Sequence, residues 1–168
     1  NEKCSAAPDD TGAATSLNSQ SYSDTTWSLL FNCNSVFAST GLRQALASVA
    51  RTAAEVPDPS LYTAASGLVP EGLTVDGIDY RSEAGDVSPA AVDARALYLS
   101  VRQNMSTSDF NKVSLMVPAG SGMTQAAETI NGVWQKEFSL FFSVEEVDAD
   151  TFDQRLADGD YTIALAPI

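Results

Sequence analysis

The first regular pattern of apolar residues begins after Thr25. Residues 1–24 are rich in Ser, Thr, Ala, Asn and Asp and show almost no apolar periodicity, so we expect an extended or flexible leader there. Beyond it, Trp27, Leu29 and Phe31 lie at every second position, which places them on one face of a predicted β-strand. The ordered domain is therefore expected to span residues 25–168.

Helical spacing follows this strand. Apolar residues recur at three- and four-residue intervals from Leu42 to Val56, after a Ser39 or Thr40 cap and before Pro57. Residues 58–87 form a long connection without clear periodicity, and such loops are usually functional or surface excursions. Ser88-Pro89 then predicts a second helix that ends near residue 104. The predicted buried stripe of this helix consists of Val92, Ala96 and Leu99.

The rest of the chain alternates strands with helices. Strands are predicted at 112–117, 139–147 and 161–166. Between them lie a helix opened by Ser121 or Thr124 and a short helix over 150–157 that closes near Gly159. The buried face of the longer helix is predicted to carry Ile130, Val133, Trp134 and Phe138. This alternation predicts an α/β fold, a single domain whose mostly parallel sheet is flanked by helices.

The composition excludes some classes of partner, although it does not identify the function. The 168 residues carry 22 carboxylates against 9 Lys and Arg, a formal net charge of −13. A field of that sign repels phosphate backbones, so we expect no nucleic-acid partner. No apolar run approaches the roughly 20 residues that span a bilayer, so we expect no direct membrane insertion by this chain.

Cysteine and histidine usage restricts the chemistry further. The chain has no histidine, which excludes Cys₂His₂ zinc sites and any histidine general base or Ser–His pair. Cys4 and Cys33 are able to form one disulfide in an oxidising compartment, and the sequence leaves that pairing open. The residues before Cys4 do not form the small apolar box of a lipid-modified cysteine.

No constellation of catalytic residues emerges. Gly120-Ser121-Gly122 follows a strand and opens a helix, but it completes neither GxxxxGK[ST] nor GxGxxG. Glu145 and Glu146 are strand neighbours, so they point to opposite faces and cannot act as a dyad. We therefore expect no enzyme, no metal site and no cofactor.

Candidate ligand contacts come from the sheet argument. In open α/β sheets, ligands lie beyond the carboxyl ends of the strands. Asn32 and Asn34 follow the first strand, and their amides suit a peptide backbone, although a strand-end turn explains them equally well. Ser121 and Gly122 follow the second strand and open a helix, where backbone amides are able to receive a carboxylate. These four residues are the predicted ligand-binding set.

The order of several short motifs resembles a known family. None is specific alone, but together they extend from about Thr26 to Ala166. They are Phe31-Asn32, Arg43-Gln44-Ala45-Leu46, Ala65-Ser66-Gly67-Leu68-Val69-Pro70, the helix from Ala126 to Trp134-Gln135-Lys136, Asp150-Thr151-Phe152-Asp153-Gln154-Arg155-Leu156, and Gly159-Asp160-Tyr161-Thr162-Ile163-Ala164. This order resembles the second lobe of the bacterial extracytoplasmic solute-binding proteins of the oligopeptide, dipeptide and nickel ABC-transporter class.

The resemblance implies one lobe of a type II periplasmic-binding-protein-like fold. It implies a protein outside the cytoplasm, on the cell surface or in the periplasm, that is tethered to the membrane through the full-length protein, as a lipoprotein is. Such a protein captures peptides or a similar small solute and delivers them to a membrane permease. The two lobes close on the ligand like a hinged clamp, because the ligand contacts both lobes only in the closed state.

The sequence departs from the family at three points. Gly41-Leu42 precedes Arg43 where the family more often has an acidic residue, and Ala50-Arg51-Thr52 replaces another common run. The chain also ends at Ile168 where the family continues, so we expect an excised lobe, a fragment or a shortened relative. Arg43 itself is expected to pair with a carboxylate. The alternative function is a standalone α/β interaction or sensory domain without a small-molecule ligand.

Overall fold

The computed structural model describes residues 25–53, 58–65, 67–70, 72–84 and 92–168. The predicted leader over 1–24 therefore lies outside the described residues. The strands are β1 Trp27–Phe31, β2 Thr74–Val75, β3 Ile78–Asp79, β4 Ser114–Pro118, β5 Ser143–Val147 and β6 Ile163–Pro167. The helices are α1 Thr40–Ala53, α2 Tyr80–Ala84, α3 Ala94–Arg102, α4 Thr124–Phe138 and α5 Ala149–Asp158, with 3₁₀ turns at Val36–Ala38 and Thr107–Phe110.

Four strands form the main sheet in the order β1-β6-β4-β5. β4 is parallel to both of its neighbours, β5 and β6. β1 is antiparallel to β6, with Trp27 opposite Pro167 and Phe31 opposite Ile163. The predicted α/β fold with a mostly parallel sheet is thus confirmed. The direction of β1 is the exception, and it changes where the residues after β1 lie.

The main core lies between one face of this sheet and the helices α1, α3 and α4. Trp134 of α4 is fully buried, and its indole Nε1 donates a 2.9 Å hydrogen bond to the carbonyl of Leu46 in α1. Phe142 packs edge-on against both Trp134 and Phe37. The prediction that Trp134 belongs to the core is confirmed, and Trp27 is half-buried against the same cluster.

The opposite face of the sheet carries a smaller core under α5. Phe152 of α5 packs there against Met116, Val147, Ala164 and Ala166. Along β6, Ile163 and Leu165 face the main core while Ala164 and Ala166 face α5, which is the period of two that a strand covered on both sides requires. Because both faces of β6 are buried, its sequence is a continuous apolar run.

Two predicted helix starts have different outcomes. Ser39 caps α1 by accepting a 3.3 Å hydrogen bond from the amide of Leu42, as predicted, and Pro57 lies outside the described residues. Ser88-Pro89 also lies outside them, and α3 begins at Ala94 with Asp93 as its cap. The predicted buried stripe of α3 is wrong. Its inward face consists of Ala94, Leu97, Tyr98 and Val101, while Val92, Ala96 and Leu99 are exposed.

The stretch before β5 is not strand, although it was predicted to be one. Leu140 and Phe142 are buried there, whereas Phe141 between them is 67% exposed. Ser139 adopts a left-handed conformation that ends α4, and β5 begins only at Ser143. The buried side chain of Asn131 accepts a hydrogen bond from the amide of Phe142 at 2.9 Å and donates one to the carbonyl of the same residue. A side chain thus satisfies the backbone groups that a neighbouring strand would otherwise pair.

Arg43 was expected to pair with a carboxylate, but it pairs with none among the described residues. Its guanidinium donates to the carbonyls of Phe37 and Ala38 and to the hydroxyl of Thr40. These acceptors lie at the junction between the first 3₁₀ turn and α1. Arg43 therefore fixes the angle at which the chain enters α1, because a guanidinium presents several donors in one rigid plane.

A short hairpin lies within the connection that showed no clear periodicity. β2 and β3 pair as two-residue strands around Asp76 and Gly77, whose φ angles are +52° and +80°. Positive φ at both central residues defines a type I′ turn, for which Asp-Gly is a favoured pair. The Asp-Gly signal was present in the sequence, but the flanking apolar runs are too short to reveal the strands.

Candidate functional site

The four predicted ligand-binding residues lie at two opposite edges of the main sheet. Ser121 and Gly122 follow β4 at the edge where β4, β5 and β6 end, here called the carboxyl edge. Asn32 and Asn34 lie at the other edge, the amino edge, because β1 is antiparallel and the amide of Asn32 bonds to the carbonyl of Thr162 just before β6. A five-residue strand spans about 15 Å, so one small contact surface does not hold both pairs.

The turn containing Ser121 and Gly122 is held by its own hydrogen bonds. The Ser121 hydroxyl donates to the carbonyl of Pro118 at 2.7 Å and accepts from the amide of Met123 at 3.2 Å. Gly120 and Gly122 have φ angles of +72° and +76°, which an L-residue adopts only with strain. The Ser121 amide also bonds to the carbonyl of Pro118, at 3.3 Å. Both polar donors of Ser121 are therefore engaged within the turn, and the N–H groups offered to a ligand lie at the start of α4.

The amino terminus of α4 opens directly beyond that turn. Met123 at the N-cap makes no side-chain capping hydrogen bond among the described residues, and the first N–H groups of a helix have no partner within it. They combine with the helix dipole to favour a carboxylate or another anion. Thr124 is the first residue of α4, and its hydroxyl donates to the carboxylate of Glu146. One acidic group of the chain itself thus already lies against this helix end.

Tyr62 connects the 58–84 region to the carboxyl edge. Its hydroxyl donates a 3.2 Å hydrogen bond to the carbonyl of Ser121, and its ring packs against the main core. On the other side of the turn, the amide of Ala119 bonds to the carbonyl of Val147 at 2.7 Å. These contacts hold the turn between β5 and Tyr62. No sequence pattern pointed to Tyr62, since only the tertiary fold brings it to residue 121.

Asp148 follows β5 at the same edge and caps α5. Its carboxylate accepts a 3.1 Å hydrogen bond from the amide of Thr151. Hydrogen bonds from the side chain and the backbone of Thr151 hold the pKa of Asp148 below its usual range. Asp148 therefore remains ionised in the folded protein and adds negative charge to this edge.

The side chain of Asn32 bonds to three backbone groups at the amino edge. Its Nδ2 donates to the carbonyls of Gly159 and Tyr161 at 2.7 Å and 2.9 Å, and its Oδ1 accepts from the amide of Asn34. The Asn34 side chain is exposed, as is the neighbouring Cys33. Cys4, the one other cysteine with which Cys33 is able to form a disulfide, lies outside the described residues.

An open depression of about 410 Å³ also lies near the amino edge. It mixes apolar and charged side chains, and the sequence did not point to it. Its lining consists of Ser35, Val36, Met105, Asp109, Lys112, Val113 and Thr162. Thr162 and Ser35 are engaged in backbone hydrogen bonds, so the lining is partly occupied by contacts that hold the fold.

Glu145 and Glu146 point to opposite sides of β5, as predicted. Glu145 forms a 2.7 Å ion pair with Arg155 of α5, whereas Glu146 accepts from Thr124. Across the described ranges, no group of three or more Cys, Asp and Glu side chains is arranged to hold a metal ion. No helix in the same ranges is both long and apolar enough to cross a membrane.

Solved structures share this fold. OppA of Listeria monocytogenes bound to peptide matches with a TM-score of 0.67 and 19% sequence identity over 86% of this chain and 31% of its own. The substrate-binding domain of an oligopeptide ABC transporter from Bacillus anthracis strain Ames matches with a TM-score of 0.70 and 18% sequence identity. This match covers 88% of this chain and 30% of the other. A peptide-binding protein of a peptide ABC transporter matches with a TM-score of 0.66 and 19% sequence identity. This match covers 86% of this chain and 67% of the other.

These matches define the class by fold. The chain has the fold of one lobe of the OppA-type substrate-binding proteins of oligopeptide ABC transporters, and it spans about a third of the length of the first two relatives. The resemblance stated from the motif order is thereby confirmed for the fold. No family model matches the sequence, and no curated protein matches it either. The solved relatives are substrate-binding proteins and not enzymes.

Proposed function

We propose that this chain is one lobe of the substrate-binding component of an ABC transporter, which captures peptides or a similar small solute outside the cell for delivery to a membrane permease. The observation that carries the proposal is the shared fold, which extends over 86–88% of the chain in proteins that are described as peptide-binding. The permease contact and the membrane tether belong to the full-length protein in this proposal.

The ligand is proposed to lie at the carboxyl edge. The turn at Ser121 and Gly122 is rigid, and the uncapped start of α4 presents N–H groups that suit peptide carbonyls or a terminal carboxylate. Reciprocal backbone hydrogen bonds between Thr26 and Ile168 extend the β1–β6 ladder at this same edge. A second lobe that adjoins this ladder would close over the turn.

Closure accounts for capture and release without a chemical step. A ligand held by one lobe gains further contacts only when the second lobe closes on it, so binding energy shifts the population toward the closed state. The isolated lobe offers roughly half of those contacts. We therefore expect the chain alone to fold and to bind peptide weakly, and nanomolar binding by the isolated chain would contradict the clamp.

The test compares the two edges of the sheet with a matched pair of variants. Ser121→Asp and Asn34→Asp each add one carboxylate to a surface turn, the first at the carboxyl edge and the second at the amino edge. Native mass spectrometry of the full-length gene product with a pool of short peptides would measure retention. Ser121→Asp should reduce retention about tenfold or more, because the new charge opposes a ligand carboxylate at α4.

Each outcome of this test assigns the site. Loss of retention with Asn34→Asp alone would move the site to the amino edge, where Asn32 and Asn34 remain predicted ligand contacts. If the unmodified protein retains no peptide, the transport function fails. The standalone interaction domain then becomes the better account of this fold.

A further inference from the structure

Exposed large apolar side chains are concentrated in one part of the fold. The described residues between 58 and 84, here called the apolar excursion, contribute six of them, each between 41% and 73% exposed. They are Leu61, Leu68, Leu73, Val75, Ile78 and Tyr80. Single exposed apolar residues are ordinary, whereas a set of this size within one segment marks a binding surface.

Polar contacts hold the shape of the apolar excursion. The Asp76-Gly77 turn closes the β2–β3 hairpin, and the amide of Tyr80 bonds to the carbonyl of Leu73 at 2.9 Å. The Arg81 guanidinium donates to the carbonyl of Val69 at 2.9 Å. Backbone and charged groups thus fix this segment while its apolar side chains face solvent. An isolated two-stranded hairpin is marginal in water, so cover by a ligand or partner would stabilise it.

The apolar excursion adjoins the proposed ligand edge. Tyr62 is anchored in the main core and bonds through its hydroxyl to the carbonyl of Ser121. Leu61 immediately precedes Tyr62 in the chain, and it is 73% exposed. A ligand that contacts the turn at Ser121 therefore passes within reach of Leu61.

Charge decides which ligand suits this surface. The excursion carries the carboxylates of Asp58, Asp76, Asp79 and Glu83 beside the single guanidinium of Arg81. The hydrogen bonds that Ser60 donates lower the pKa of Asp58, which therefore stays ionised. The whole chain has a formal net charge of −13. A complementary ligand is apolar and cationic, and an acidic ligand meets repulsion from both the excursion and the overall field.

We propose that the apolar excursion binds side chains of the peptide ligand and selects peptides that combine aliphatic or aromatic residues with Lys or Arg. This inference rests on the proposed function and adds the substrate class to it. The excursion supplies the apolar contacts and its carboxylates supply the charge discrimination. The first N–H groups of α4, directly beyond Ser121 and Gly122, remain for the main chain of the peptide in this proposal.

The experiment is an NMR titration of the ¹⁵N-labelled 168-residue chain with three hexapeptides of matched length. One alternates Leu and Lys, one alternates Leu and Glu, and one alternates Ser and Lys. The Leu–Lys peptide should bind about tenfold more tightly than the Leu–Glu peptide and several-fold more tightly than the Ser–Lys peptide. Its shifts should include Leu61 and the β2–β3 hairpin, and 0.5 M NaCl should weaken its binding.

Two variants separate this surface from other exposed apolar residues. Leu61→Ser should weaken Leu–Lys binding roughly threefold to tenfold, because it removes apolar area that the ligand covers. Leu99→Ser changes a leucine of α3 that is 53% exposed and lies outside the apolar excursion, and it should leave binding unchanged. Equal effects of the two variants would overturn the assignment of the surface.

The remaining outcomes distinguish failure of this inference from failure of the proposed function. If all three peptides bind equally, the chain is a peptide-binding lobe without this selectivity, and the inference fails alone. If none binds to the chain or to the full-length protein, the proposed function fails with it. If the hairpin signals shift with protein concentration in the absence of peptide, the surface is an interface between copies of this chain, and the ligand assignment is wrong.

Discussion

At the residue scale, Asn131 shows how one polar side chain determines a local path of the chain. It is 1% exposed, lies on the inward face of α4, and bonds to both backbone groups of Phe142. Asn131→Ala would leave a buried N–H and a buried carbonyl without partners. We expect the free energy of unfolding to fall by about 2–4 kcal/mol, since each unsatisfied buried group costs roughly 1–3 kcal/mol. Urea denaturation followed by circular dichroism measures it.

The control for this variant is another Asn→Ala change on the surface. Asn104 is exposed just beyond α3, where its backbone amide bonds to the carbonyl of Val101 at 3.1 Å. Asn104→Ala should change the free energy of unfolding by less than about 0.5 kcal/mol. If both variants unfold at the same urea concentration, the hydrogen bonds between Asn131 and Phe142 contribute nothing measurable.

At the element scale, a Gly→Ala substitution should have opposite effects at two glycines, one inside a helix and one at a helix end. Gly132 lies in the middle of α4, and a Cβ there would meet no atom of the described residues within 4 Å beyond its chain neighbours and the backbone of its own helix. Gly132→Ala should therefore stabilise the protein by about 0.5–1 kcal/mol. Gly159 ends α5 at a φ of +69°, so Gly159→Ala should destabilise it by about 1 kcal/mol. Thermal unfolding of both variants tests the pair, and a shift of equal sign would contradict it.

The cap of α5 makes part of the stability depend on pH. The folded protein holds the pKa of Asp148 below its ordinary value near 3.8, so the unfolded chain binds the proton more readily. The contribution of this carboxylate is present above that value and is lost as the pH falls through the lowered folded pKa. The melting-temperature difference between the wild-type protein and Asp148→Asn should shrink from pH 7 to pH 2.5.

Asp153→Asn provides the reference for that pH series. Asp153 is exposed on the same helix, α5, and lies outside the capping interaction. Its melting temperature should follow the wild-type protein at every pH. A difference for Asp148→Asn that stays constant down to pH 2.5 would show that the charge of this cap does not stabilise the fold.

At the scale of the whole molecule, both faces of the sheet should unfold together. Phe152 is buried under α5, on the opposite face from Trp134. Phe152→Ala should cost about 3–5 kcal/mol, as large cavities in cores do. The loss should appear equally in tryptophan fluorescence and in far-ultraviolet circular dichroism, because small domains unfold cooperatively. Two separated transitions would show that α5 and its core unfold independently of the main core.

Local pattern predicted most of the elements for a physical reason. α1, α4 and α5 have strong helical periodicity, which side-chain caps reinforce at α1 and α5, and β4 and β6 are apolar runs of strand length, so short-range geometry alone indicates them. The stripe of α3 was misassigned because its inward face is fixed by contacts with α1 and α4, and the apolar residues at Val92 and Leu99 were equally plausible by spacing.

The candidate site was only partly predictable. The turn at Ser121 and Gly122 follows from a strand, two glycines and a helix start, which are all local signals. The separation of Asn32 from that turn depends on the direction of β1, and Tyr62 reaches Ser121 across 59 residues of sequence. Strand direction and long-range contacts are set by which faces pack together, and no short segment encodes them.

The sequence by itself determined the α/β class, the positions of most helices and strands, the acidic surface and the absence of histidine chemistry, because periodicity, capping and composition are local properties. It also carried the motif order that resembles a solute-binding lobe. Only the tertiary structure decided that β1 is antiparallel and that the side-chain amide of Asn32 bonds to backbone carbonyls before β6. It also decided that the apolar excursion adjoins the carboxyl edge. Those features arise from contacts between distant segments, which form only when the whole chain packs.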